Sequence, residues 1–249
     1  MSRPTVSVIT AVYNRAAVLP RCIASVAAQD YPHVEHIVVD GGSTDGTVDV
    51  VRAHQHSLGA WISEPDRGVY DAWNKGLALA RGEWIAFLGA DDQYRPDAVR
   101  RYVETAAANP AAEYVSSRVE LLYPGGVGRL IGRPWNWREF RRHMCVAHVG
   151  SFHRASLFGR VGNYDTRYRI VGDYELLLRA GEGLRAAFLN AVTARMDAGG
   201  LSDSTAALTE ARRAKLQHGA KTRFAASVDH AVAFAKHQYR RHIWRPLSI

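Results

Sequence analysis

Two carboxylates stand side by side at Asp91 and Asp92, directly after the apolar run WIAFLGA. Adjacent carboxylates at a strand end offer hard oxygen ligands to a divalent cation, which can bridge the diphosphate of a nucleotide. The structural alternative is that they begin a turn and cap a helix starting near Pro96. Asp40 opens the segment DGGSTDGT. Its carboxylate can accept hydrogen bonds from the imide or ring nitrogen of a base, or from a ribose hydroxyl. A calcium loop is excluded here, because Gly42 and Thr44 stand where that motif needs oxygen ligands. Ser43, Thr44 and Asp45 read as caps for the next helix. The chain has neither G-x-G-x-x-G after its first strand nor G-x-x-x-x-G-K-[ST], so a bound nucleotide would need the cation to hold its phosphates.

These acids must be positioned by the elements around them. Val6 to Val12, Val34 to Val39, Ala60 to Ser63 and Glu83 to Leu88 read as strands. Between them Val18 to Ala28, Thr47 to about His54 and Tyr70 to Arg81 read as helices, the last with Val69, Trp73 and Leu77 on one face and an Asp71/Lys75 pair on another. Repeated units of this length imply an α/β fold with a doubly wound, mostly parallel sheet covered on both faces. Ligands of such sheets bind beyond the carboxyl ends of the strands. Asp40 ends the second strand, Glu64 and Asp66 follow the third, and Asp91 and Asp92 follow the fourth, so the acids converge on one crevice.

After Glu113 the pattern changes. A strand is expected over Tyr114 to Leu122, then a glycine-rich loop, then helical segments near Trp137 to His143, Ser151 to Arg160 and Asp173 to Arg179. From about Thr205 the chain reads as one or two amphipathic helices outside the core. The expected division is therefore 1–204 as the main domain, with halves 1–112 and 113–204, and 205–249 as a basic helical extension.

Composition narrows the function classes. The 249 residues are 47% hydrophobic and 22% charged, ordinary for a globular domain. Two cysteines, Cys22 and Cys145, exclude a disulfide framework and a tetrathiolate zinc site. The opening MSRPTVSVIT lacks the basic region and continuous apolar stretch of a signal peptide and no run of about 18 apolar residues appears, so a cytoplasmic location is expected. The net charge is +8. Nine Lys and Arg against two acids between Leu208 and Arg245 carry +7 of it. The main body is nearly neutral, which argues against nucleic acid as a partner.

The blocks ITAVYNR, VVDGGSTDGT, ISEPDRGVYDAWNKGLALARGEWIAFLGADD and VGDYELLLR, in that order, resemble the family 2 glycosyltransferases over roughly residues 4 to 200. Within that family the likeness is to bacterial enzymes that assemble exopolysaccharide or antigen chains. The resemblance implies a GT-A fold, a nucleotide-diphosphate sugar donor with UDP favoured, a divalent cation (Mn²⁺ or Mg²⁺), and transfer with inversion to a saccharide or lipid-linked acceptor. It places Thr10, Ala11, Tyr13 and Asn14 on the loop lining the nucleoside pocket. Asp40 falls on the base-binding aspartate, and Asp66 and Asn74 on polar positions beside the nucleotide. Asp91 and Asp92 fall on the D-x-D region, Asp92 as metal ligand and Asp91 as ribose or metal ligand. Gly89 departs from relatives that carry an acid or amide there.

In the later half, the resemblance makes Asp173 the general base and gives His148, in Ala147-His148-Val149, a place facing the cleft. Relatives often have Glu-Asp where this chain has Gly172-Asp173, which leaves Glu175 as a competitor. Asp173 can instead cap its own helix, and His148 can be a packing residue. The spacing of His143, His148 and His153 suits neither one helix face nor one strand face, so a histidine metal cluster is not expected. The loop from Tyr123 to Trp137 can close over a donor, with Trp135 and Trp137 either stacking on an acceptor sugar or anchoring the loop. The basic C-terminal helices suit peripheral contact with the inner face of an anionic plasma membrane, or a subunit contact. A nucleotidyltransferase is a competing reading, but it would present a glycine-rich basic loop where TAVYNRAAVL stands. A non-catalytic nucleotide-binding module is the third.

Overall fold

The structure is a computed structural model in which residues 6–123, 125–200 and 204–243 are described. Pro124 of the glycine-rich loop and Arg245 of the basic tail lie outside them. In chain order the elements are β1 (Val6–Val12), α1 (Leu19–Ala27), β2 (Val34–Asp40), α2 (Thr47–Ala53), β3 (Ala60–Ser63), α3 (Val69–Leu79), β4 (Trp84–Phe87), β5 (Gln93–Tyr94) and α4 (Ala98–Ala108). The second half continues with β6 (Tyr114–Leu122), β7 (Gly128–Ile131), α5 (Trp137–Phe140), β8 (Ser151–Arg154), α6 (Ala155–Val161), α7 (Gly172–Ala180), β9 (Ala186–Asp197), α8 (Thr205–Gln217) and α9 (Arg223–Ile243).

The sheet runs β3-β2-β1-β4-β8-β6-β9-β5, with β7 paired to β6. β3, β2, β1 and β4 are mutually parallel, so Asp40 and the turn after β4 emerge at one edge. β1, β2 and β4 are buried on both faces, which removes the need for strict polar alternation, whereas the edge strand β3 is only half-buried. In β4, Trp84 and Ala86 enter the cluster with Cys22 and Val26 of α1 and Tyr102 of α4, whereas Ile85 and Phe87 enter the one with Tyr70 and Ala72 of α3. Each large side chain so buried stabilises the fold by about 1.5–3 kcal/mol.

Three expectations need correction. Ser151–Arg154, expected to be helical, is β8, inserted antiparallel between β4 and β6; the helix starts only at Ala155. Ser151, Phe152 and His153 are buried there, and a central strand leaves no helical pattern to read. β9 escaped the sequence reading because its pairing to β6 shifts register around Ser117 and Arg118, which breaks the period of two. α8 is not outside the core. Its Ala207 and Ala214 are buried in the cluster of Tyr174 and Leu177 of α7, small side chains that let the two helices close together.

Candidate active site

The loops after β1 and β2 are sewn together. Asn14 has φ 51°, a left-handed conformation that Asn tolerates. Its N–H donates to Ser43 Oγ and its Oδ1 accepts from the Thr44 N–H at 2.9 Å. The N–H groups of Arg15 and Ala16 donate to Thr47 Oγ1 and Asp45 Oδ2. Asp45 also accepts the Thr47 N–H at the start of α2, but the N-cap of that helix is Gly46, so Ser43, Thr44 and Asp45 tie the loops together and do not occupy the cap position expected of them. Tyr13, 59% exposed, and the half-buried Ala11 belong to the same rim. Thr10 does not: strand alternation turns its side chain into the core, where it meets His36 Nε2 at 3.0 Å and Cys22 Sγ at 3.6 Å.

Asp40 is fully buried, and its carboxylate accepts the N–H groups of Gly42 and Ser43 and the hydroxyls of Ser43 and Ser63. It therefore shapes the loop framing the crevice and ties it to β3. Asp66 packs against Gly41 from the loop after β3 and accepts the Gly68 N–H at 2.7 Å. Asn74 spends its amide on the Tyr164 backbone, donating to the carbonyl at 2.9 Å and accepting the N–H at 3.0 Å. It links α3 to the segment before α7.

Asp91 is exposed and Asp92 is 5% exposed, and the two carboxylates converge above Gly89. A Cβ at position 89 would stand 2.5 Å from Asp92 Oδ2 and 3.1 Å from Asp91 Oδ1. The missing side chain is what lets the two carboxylates, both hard oxygen donors, come this close to the turn. Asp92 Oδ2 accepts the Gly89 N–H at 3.1 Å. Burial, and next the charge of Asp91, push the Asp92 carboxyl up to about 7. A third acid, Asp197 at the end of β9, adds to that rise and directs its backbone N–H at Asp92. The only sequence signal for Asp197 was an acid ending the run TARMD. Among the described residues no group of three or more His, Cys, Asp or Glu is arranged to hold a metal, so a cation there would rest chiefly on Asp91 and Asp92.

Asp173 lies in the first turn of α7. Its Oδ1 accepts the Tyr174 N–H at 2.8 Å and faces the Tyr70 hydroxyl at 3.3 Å. Burial raises its carboxyl to about 6, suited to accepting a proton near neutral pH. The approach of Tyr70 depends on Gly172, where a Cβ would meet the Tyr70 ring at 2.9 Å. Glu175 is two residues on, and the helical repeat carries it to the other side of α7. There it is fully buried, ion-paired with Arg179 at 2.9 Å and 2.7 Å from His218 Nε2. Asp173 alone of the two faces Tyr70.

His148 sits in an aromatic box, stacked on Phe87 with ring centroids 5.3 Å apart and tilted on Trp73 at 4.9 Å. Its Nε2 meets the Tyr164 hydroxyl at 3.3 Å, and burial lowers its pKa to about 3, so the ring is neutral. Trp135 packs on Phe140 at 4.4 Å, and both Trp135 and Trp137 lie against the cluster of Phe140 and Tyr174. The loop is thereby anchored to the core.

A model of glycosyl transferase family 2 matches residues 7–157, which include Asp40, Asp66, Asp91 and Asp92. The chain is a family 2 glycosyltransferase. This glycosyltransferase is 34% identical over 221 residues to a PGL/p-HBAD biosynthesis glycosyltransferase of Mycobacterium tuberculosis, an alignment covering 82% of the chain and 81% of the relative. It is 38% identical over 190 residues to a further glycosyltransferase of that organism, covering 72% and 70%. In fold, it matches Staphylococcus aureus TarS 1–349 in complex with UDP at a TM-score of 0.72 and 16% identity, covering 96% of this chain and 73% of that one. It also matches the mannosyltransferase PcManGT of Pyrobaculum calidifontis, solved with GDP-Man and Mn²⁺, at 0.63 and 23%, covering 94% and 75%. The glycosyltransferase has the GT-A fold of these neighbours.

Proposed function

We propose that the enzyme transfers a sugar, with inversion, from a nucleotide-diphosphate donor, UDP-linked by preference, to a saccharide or lipid-linked acceptor. The observation that carries this reading is the convergence of Asp91 and Asp92 above Gly89 at the strand edge where Asp40 closes β2. Asp91 and Asp92 would hold a divalent cation, which supplies charge compensation to the diphosphate oxygens as the glycosidic bond breaks. The loops at Tyr13–Asn14 and Asp40–Ser43, with Asp66 beside them, frame the nucleoside.

Asp173 takes the acceptor hydroxyl proton onto a carboxylate oxygen, so the oxygen can attack the anomeric carbon. Attack opposite the leaving diphosphate inverts that centre, as it does in inverting hydrolysis, where two groups flank the sugar. His148, neutral and boxed, supports the wall between these regions by packing.

A membrane-borne acceptor is supported by α9. Phe224, Val228, Val232 and Tyr239 recur at helical spacing on its outer face, and Phe224 is 81% exposed. Basic residues in the same helix suit an anionic surface. No helix among the described residues is long and apolar enough to cross a membrane.

A thermal-shift panel of UDP-, GDP-, dTDP- and CDP-sugars, each with and without Mn²⁺, tests the donor class. The UDP-sugars are expected to give the largest Mn²⁺-dependent stabilisation; a larger response to another base would reassign the donor, and no response to any would refute the reading.

A further inference from the structure

One face of α8 grips the turn that leads into Asp173. Glu210, Arg213 and Gln217, spaced i, i+3 and i+7, lie on one side of the helix. The Glu210 carboxylate accepts three consecutive backbone N–H groups: Arg169 at 3.0 Å, Ile170 at 2.9 Å and Val171 at 3.2 Å. Arg213 donates to the Arg167 carbonyl at 2.9 Å and lies 4.1 Å over the Tyr168 ring. Gln217 Oε1 accepts the Tyr168 hydroxyl at 3.0 Å.

From the opposite side, the Tyr70 hydroxyl donates to the Ile170 carbonyl at 2.7 Å. The Arg169 guanidinium reaches the Arg67 carbonyl. Both backbone groups of Ile170 are thus held, one by α8 and one by α3. Val171 is the N-cap of α7 and Asp173 stands two residues beyond it. A carboxylate at this helix start also satisfies orphan N–H groups and opposes the positive end of the dipole.

We infer that Glu210, backed by Arg213 and Gln217, is a positioning residue for Asp173, so that the C-terminal segment forms part of the machinery that aims the base. The inference rests on the reading of Asp173 as that base. It excludes a merely solvated α8, because three polar side chains of one face are spent on five consecutive residues, 167–171.

The test follows Asp173 itself, by carboxyl-carbon NMR titration of the full chain, the resonance being assigned with Asp173→Asn. Amide exchange at 169–171 and UDP affinity are measured beside it. In Glu210→Ala, exchange at 169–171 is expected to quicken about tenfold. The Asp173 midpoint is expected to fall by about half a pH unit as water reaches the carboxyl, with UDP affinity unchanged. Glu210→Gln, which keeps one acceptor oxygen, should fall between Ala and wild type. An Asp173 midpoint unmoved in both variants would overturn the inference. Should Glu210→Ala fail to fold, Glu210→Gln and Arg213→Ala carry the same test, and unchanged midpoints in them overturn it equally. The titration needs no turnover, so failure of the functional reading would appear separately, as absent UDP binding or as an active Asp173→Asn enzyme.

Discussion

The Tyr70 hydroxyl lies 3.3 Å from Asp173 Oδ1 and 2.7 Å from the Ile170 carbonyl oxygen. It has one hydrogen for two acceptors, and the hydrogen bond it offers Asp173 holds that carboxyl lower than burial alone would. Tyr70→Phe should therefore raise the Asp173 midpoint above its value of about 6. It should cost about 1 kcal/mol of stability through the lost bond to Ile170. A pH–rate profile checks the first effect, with its acid limb displaced upward; denaturant unfolding checks the second.

Asp173 also makes stability depend on pH. Its folded pKa is raised from 3.8 to about 6, so the stability it contributes is fully present below the unfolded value and is lost as pH rises through about 6. Asp173→Asn removes a desolvated charge that its hydrogen bonds from Tyr174 and Tyr70 offset only in part. The variant should be more stable than wild type at pH 8, by at most about 3 kcal/mol, and no more stable near pH 3.5. Turnover should meanwhile fall severely. Melting temperatures across that pH range check the sign, and a variant less stable than wild type at pH 8 would count against it.

Gly172 is required by the ring it touches. Gly172→Ala places a Cβ 2.9 Å from three Tyr70 ring carbons and should cost about 1–3 kcal/mol through overpacking. The penalty should shrink when Tyr70→Leu removes the ring. A double-mutant cycle measures this coupling, and strictly additive effects would show that the contact is not the cause.

The outer face of α9 should carry any membrane affinity. Sedimentation with vesicles containing anionic phosphatidylserine is expected to capture the intact chain. Phe224→Asp combined with Val232→Asp should release it, and capture should weaken as salt rises. Equal capture of both forms would place the contact elsewhere.

The first half was legible because its inner strands are buried and its helices are amphipathic, so that β1 and β3 begin and end where expected; in the second half β6 does so too. Asp91 and Asp92 could be read as a pair from adjacency alone. What the chain hid was long-range. Thr10 matched a pocket-lining position, but which face of β1 it occupies depends on the neighbouring His36 and Cys22. Asp197 comes to Asp92 through the β5–β9 pairing of residues about a hundred positions apart. Glu210 read as one acid in a basic helix, and its three acceptor bonds appear only once α8 folds back on the turn before α7. The choice between Asp173 and Glu175 needed the burial of Glu175 against Arg179 and His218.

The most direct measurement is thermal unfolding with UDP in the presence of Mn²⁺ or EDTA, compared between wild type and Asp92→Asn. With UDP at about 100 times its Kd, wild type with Mn²⁺ should gain about 2.7 kcal/mol. That gain should vanish in EDTA and in the variant. Equal stabilisation of wild type by UDP in EDTA, or a full Mn²⁺-dependent gain in Asp92→Asn, would contradict a cation held between Asp91 and Asp92.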